Sequence, residues 1–185
     1  TEHISILQED APADESLIPD DADEDLMKSM YHYMRLARVF DEKLFKLQRS
    51  GKIGTYAQVK GEEATEIGSA FALNDTDWFV PSFRETGVYL ARGADRAKLV
   101  QAWNGDVRAF RDDDHKRNLP PSVPIASQLP HAAGIAWANK LKDNGEATIG
   151  YFCDRATSEG DFHQAPNLAG HPDLPVVVSR QDTTG

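Results

Sequence analysis

Between Asp23 and Ser50 the apolar side chains fall at Leu26, Met30, Met34, Leu36, Phe40, Leu44 and Leu47, close to the repeat of an α-helix. Acidic residues crowd the start of this stretch and Gly51 follows its end, so the pattern predicts one long amphipathic helix. A glycine-punctuated loop, GKIGTYAQVKG, leads into a second apolar helix, EEATEIGSAFAL. DWFVP then reads as a short extended piece stopped by Pro81, with helices expected around Glu85–Arg92 and Ala94–Trp103. Residues 104–124 contain three prolines and no apolar period. In a compact domain so long a polar loop is more often functional than idle. IASQLPHAAGIAWANKLK predicts the next helix, its Ala and Gly residues on one face suiting close packing of the backbone against a neighbour.

Two short apolar runs follow, ATIGYFC at 147–153 and PVVVS at 175–179, of the kind a buried parallel strand shows. The 21 residues between them suffice for a crossover helix, so the segment reads as one βαβ unit and the fold class as α/β. Open parallel sheets gather ligands beyond the carboxyl ends of their strands. Asp154 stands at one such end and residues 180–183, RQDT, at the next. If the strands are neighbours, these side chains lie roughly 5 Å apart. Ser158 and Asp161 match the S-x-x-D pattern of a capping box, which would aim a helix N-terminus at the same place. Two readings stay open. Asp154 caps a turn, or it holds a hard cation that in turn holds phosphates.

Composition narrows the setting. Residues 1–25 hold ten acidic side chains and no Lys or Arg, so the remaining residues carry 20 acids against 20 bases. The net charge of −10 therefore belongs to the N-terminal tail and speaks only weakly against a nucleic-acid partner. Residues 1–21, rich in Asp and poor in large apolar side chains, are expected to be disordered. The single cysteine, Cys153, cannot form an internal disulfide and reads as a small packing residue. His131 and His163, on predicted helices, read as structural. No apolar run is long enough to span a bilayer, and the N-terminus has neither a secretory nor a transit-peptide pattern; a cytoplasmic setting, with no membrane or nucleic-acid partner, is expected.

Several stretches, FDEKLFKLQRSGKIGTYA, KGEEATEIGSAFAL, DWFVPSFRETG, NLPPSVPIASQLPHAAGIAWA and ATSEGDFH, occur in an order and spacing that resemble the alpha subunit of the thiamine-diphosphate-dependent 2-oxo acid dehydrogenases. The resemblance implies a truncated parallel-sheet thiamine-diphosphate-binding fold with helices packed on the sheet. It implies oxidative decarboxylation of pyruvate or a branched-chain 2-oxo acid, with acyl transfer to a lipoyl-bearing acyltransferase. It also implies an alpha2beta2 heterotetramer whose beta subunit supplies the activating glutamate, so no catalytic residue is assigned to this chain.

Carried over by position, Phe83 and Arg84 would face the diphosphate, and the planar guanidinium suits two phosphate oxygens. Val123 and Ile125 would line the cofactor, with Ile125 propping its bent shape. The backbone of Arg155 and Ala156 would approach the diphosphate, with Gln181 beside it. Asp154 would bind Mg²⁺, together with Asp182 or Thr183, while Ser122, Pro124, Ser127 and Gln128 would hold a structural K⁺.

The chain departs from the family pattern near its end. Gly-Asp-Gly is replaced by Cys153-Asp154-Arg155, and Asn-Asn at the following strand end by Asp182-Thr183. Arg155 should obstruct the diphosphate or swing out as an extra cation. Pro166 falls inside the crossover helix, where it removes a hydrogen bond at a cost of roughly 3 kcal/mol. With Gly185 about halfway along the family's length, these changes imply a weakened cofactor site. The alternative is a non-catalytic remnant that keeps the subunit-pairing surface of the helices near 27–50 and 128–142.

Overall fold

A computed structural model describes residues 6, 12, 14–20, 22–110, 117–170 and 173–181. The long helix is α1, Glu24–Arg49, and the Asp23 carboxylate caps it by accepting a hydrogen bond from the Leu26 amide at 2.7 Å. Next come α2, Glu63–Phe71, strand β1, Trp78–Val80, and helices α3, Thr86–Ala91, and α4, Arg96–Trp103. Asp95 caps α4 through the amides of Ala97 and Lys98. The second half contains α5, Gln128–Lys142, β2, Thr148–Cys153, α6, Gly160–Gly170, and β3, Val176–Gln181.

The three strands form one parallel sheet in the order β1-β2-β3, with Val80 paired to Gly150 and Cys153 to Gln181. Within DWFVP, Trp78–Val80 thus pairs as a strand of the sheet. Helices α1 and α3 cover one face, where Ala37, Val88 and Tyr89 pack around Phe79, Ile149 and Tyr151. Helices α5 and α6 cover the other, where Leu129, Ala133 and Ala165 meet Phe152. Burial on both sides explains why β2 reads as an unbroken apolar run. A Cβ on Gly150 would lie 3.1 Å from Cβ of Ala132, so this glycine and the small residues of α5 set how closely the helix approaches.

Several boundaries differ from the sequence reading. Helix α5 begins at Gln128 rather than at Ile125, because Ala126 takes a left-handed backbone with φ of 68°. Strand β3 runs through Arg180 and Gln181, so these are strand residues and not part of a loop beyond it. The Ser158–Asp161 capping box does not form: Asp154–Ser158 is a 3₁₀ turn, and α6 starts only at Gly160. Pro166 lies inside α6 as expected. The long loop contains a 3₁₀ turn at Val107–Phe110, and its residues 111–116 lie outside the described residues. Much of the tail over residues 1–21 also lies outside them, but Glu15–Leu17 forms a 3₁₀ turn capped by Asp14, since a short acidic side chain can order a turn that buries nothing.

Candidate functional site

Three segments converge at the carboxyl end of the sheet: Ser82–Glu85 after β1, residues 117–128 before and into α5, and Asp154–Ala156 after β2. Residues 117–119 run parallel beside β1, with the Phe79 amide donating to the Arg117 carbonyl and the Leu119 amide to the Phe79 carbonyl, both at 2.9 Å. Side chains lock this segment. Arg92 Nε donates to Asn118 Oδ1 at 2.6 Å, and the Tyr89 hydroxyl donates to the Leu119 carbonyl. Arg117 pairs with Glu146 and lies 4.9 Å from the centre of the Trp78 ring, whose Nε1 donates to the same Glu146 at 2.9 Å. The Ser122 amide then bonds the Ser82 carbonyl at 2.7 Å, joining two of the three segments.

Beyond Ser122 the chain folds into a tight oxygen-rich turn. The Ser122 and Ser127 hydroxyls lie 2.6 Å apart, and Ser127 Oγ donates to the Pro124 carbonyl at 2.6 Å. Gln128 is almost wholly buried; its Nε2 donates to the Tyr151 carbonyl, while its Oε1 has no partner among the described residues. The four residues expected around K⁺ are therefore brought together, with a buried acceptor unsatisfied. A cavity of about 180 Å³ opens beside them, lined by Pro81, Leu119, Pro120, Ser122, Gln128 and His131.

Ile125 is half-buried and packs against a cluster that includes Phe152 and Ala156, so the expected cofactor prop and the turn after β2 share one wall. Val123 is exposed at 66%. Asp154 is half-buried at the head of its 3₁₀ turn, and its carbonyl accepts from Thr157 Oγ1 at 2.7 Å. Arg155 is exposed and has no positive φ, so it swings outward and its backbone carries none of the strain that a glycine would relieve. Gln181, opposite Cys153, is buried, and its Nε2 has no partner among the described residues. Asp182 and Thr183 lie outside the described residues. Among the described residues no group of three or more His, Cys, Asp or Glu is placed to hold a metal, so Asp154 is not part of a preformed cluster of such ligands. A single carboxylate ligand fits a Mg²⁺ whose remaining ligands are phosphates and waters.

Arg84 Nη1 donates to the Gln58 carbonyl at 2.7 Å, and its Cζ lies 5.4 Å from the centre of the Phe83 ring. No hydrogen bond or ion pair joins it to Asp154. Behind it lies a group of acids absent from the expected site. Glu62, Glu66 and Glu85 are all buried. Burial first, and then the charges of Glu85 and Glu62, push Glu66 well above the usual carboxylate range. Burial likewise pushes Glu85 up to about 7. Burial raises Glu62 too, with Arg84 opposing the rise. The sequence signal was present in KGEEATEIGSA, where Glu62 and Glu66 share a helical face with Ile67 and Ala70.

No helix among the described residues is long and apolar enough to cross a membrane. A family model described as dehydrogenase E1 component matches residues 31–181. The chain is 37% identical over 162 residues to the 3-methyl-2-oxobutanoate dehydrogenase subunit alpha of Mycobacterium tuberculosis, covering 88% of this chain and 44% of that protein. It is 34% identical over 143 residues to the pyruvate dehydrogenase E1 component subunit alpha of Mycoplasma genitalium, covering 77% and 40%. For the 2-oxoisovalerate dehydrogenase subunit alpha of Bacillus subtilis the identity is 35% over 161 residues, covering 80% and 48%. The chain thus spans less than half the length of these relatives. With the family model matched across the sheet and its converging loops, the chain belongs to the dehydrogenase E1 component family.

Proposed function

We infer that this chain is the diphosphate-binding half of an alpha subunit in a 2-oxo acid dehydrogenase, acting on pyruvate or a branched-chain 2-oxo acid with a beta subunit and a lipoyl-bearing acyltransferase. The observation that carries this reading is the convergence of Arg84, Ile125 and Asp154 at one sheet end, on a chain of this family. Asp154 would hold Mg²⁺, Arg84 and the backbone at Arg155 and Ala156 would meet the diphosphate, and Ile125 with Val123 would border the cofactor ring. Gln181 would stand beside the diphosphate. Ser122, Pro124, Ser127 and Gln128 offer only neutral oxygens, which suit a large monovalent cation such as K⁺, and the unsatisfied Gln128 Oε1 supports it. When bound, thiamine diphosphate supplies the electron sink for decarboxylation.

The Cys153-Asp154-Arg155 sequence in place of Gly-Asp-Gly supports a weak hold on the cofactor. A pairing role draws on a separate observation: the outer face of α5 leaves Trp137 and Leu141 exposed, Leu141 at 78%, as a surface for the beta subunit would. A cytoplasmic setting accords with the single thiol, Cys153. Calorimetric titration with thiamine diphosphate and Mg²⁺ tests the reading. Binding weaker than about 10 μM, and abolished by Asp154→Ala, is expected. Binding indifferent to Asp154→Ala, or none at millimolar cofactor, would sink it.

A further inference from the structure

We propose that Asp41 is a positioning residue for Arg84, acting through the carbonyl of Gln58. The inference rests on the reading that Arg84 meets the diphosphate. Asp41 lies on α1 with 0% of its surface exposed, next to an apolar cluster of Leu44, Ile53 and Tyr56. An aspartate there needs several donors, and the loop between α1 and α2 supplies them. Asp41 Oδ1 accepts from the Tyr56 hydroxyl at 2.7 Å and from the Val59 amide at 2.8 Å, and Oδ2 accepts from Gln58 Nε2 at 3.4 Å. Burial first, and then the bond to Asp41 and its charge, hold the Tyr56 hydroxyl well above the ordinary phenol range, so it remains a donor at any working pH.

These bonds fix the chain on both sides of Gln58, whose carbonyl then accepts from Arg84 Nη1 at 2.7 Å. Further along, the Gly61 amide donates to Glu63 Oε2 at 3.0 Å, and Glu63 pairs with Arg38 of α1, so the loop is tied to α1 at a second point. With Gln58 on one side and the Phe83 ring on another, the guanidinium is held before any anion arrives. An arginine has five donors, and one spent on Gln58 leaves the others for an anion. Ordering a long side chain in advance removes that cost from binding. A purely packing role for Asp41 would stabilise the loop without affecting Arg84.

The test uses this chain with inorganic pyrophosphate and Mg²⁺ in calorimetry, alongside ¹⁵N NMR of the Arg84 guanidinium without ligand. Asp41→Ala is expected to weaken pyrophosphate about tenfold and to free rotation about the Arg84 Nε–Cζ bond. Asp41→Asn, which keeps Oδ1 for Tyr56 and Val59, should restore most of both. If Asp41→Ala does not fold, Tyr56→Phe removes one bond and should show a smaller change of the same kind in both readouts. Variants that leave the guanidinium signal at its wild-type value overturn the proposal. Failure of Arg84→Gln to weaken pyrophosphate, or no binding by the wild type, would instead overturn the diphosphate role of Arg84, and the NMR signal would still decide whether Asp41 positions it.

Discussion

Glu66 Oε2 accepts a hydrogen bond from the Gly87 amide at 2.5 Å, and a Cβ built on Gly87 would sit 2.5 Å from that same oxygen. A buried carboxyl on α2 thus occupies the space that a side chain on α3 would fill. Gly87→Ala should force the carboxyl off its bond and destabilise the fold by about 1–3 kcal/mol. Because the clash is with Glu66, the cost should shrink in the Glu66→Ala background. Thermal unfolding of the two single variants and the double variant checks this, and strictly additive effects would rule the contact out.

Glu85 gives the fold a pH dependence with a definite sign. Its folded-state value is raised to about 7, chiefly by burial, whereas an unfolded glutamate titrates at about 4.3. The folded state therefore binds the proton more tightly. Its stabilisation is fully present below about 4.3 and is lost as pH rises through about 7. Glu85→Gln, which cannot ionise, should match the wild type near pH 4 and be the more stable by as much as about 3 kcal/mol at pH 8. Urea unfolding at the two pH values measures the difference. An equal gap at both would show that charge is not the cause.

Much of the fold was legible because apolar spacing records burial. The seven apolar positions of α1 and the unbroken run of β2 mark elements packed on one stripe or on two faces, whereas the run of β3, expected to be buried in the same way, leaves Val177 and Val178 exposed. The parts that were not legible depend on tertiary partners. Three residues of β1 carry no period of their own, and their place in the sheet comes from pairing with Thr148–Gly150. The left-handed Ala126 is invisible to propensity, since nothing in IASQ signals the turn that delays α5. At the site, Asp154 stood out at the end of an apolar run and Ile125 through the family resemblance, while the link from Asp41 to Gln58 and Arg84 joins residues far apart in sequence.

Pro166 sits inside α6 without an amide hydrogen to donate to the Phe162 carbonyl one turn earlier. Pro166→Ala restores the donor and removes the ring's clash with that turn. A gain of about 1–3 kcal/mol in the unfolding free energy is expected. No gain on chemical denaturation would mean that α6 has already relaxed around the ring.

Gln128 brings the candidate cation turn to a direct test. Its buried Oε1 has no partner among the described residues; Gln128 and Ser122 line one cavity, and Ser122, Ser127 and the Pro124 carbonyl are joined next to it in the chain. An unsatisfied buried acceptor costs about 1–3 kcal/mol, and a bound cation would remove that cost while tying the turn to α5. Replacing Na⁺ by K⁺ at constant ionic strength, with K⁺ in roughly tenfold excess over its dissociation constant, should stabilise the chain by about 1.4 kcal/mol, a shift of a few degrees. Gln128→Leu removes the acceptor and should abolish the difference between the two salts, even though loss of the bond to the Tyr151 carbonyl lowers stability in both. Differential scanning calorimetry in matched chloride salts separates these effects, because general screening moves both salts alike. A wild type with the same midpoint in K⁺ and Na⁺ would exclude a K⁺ site in this chain.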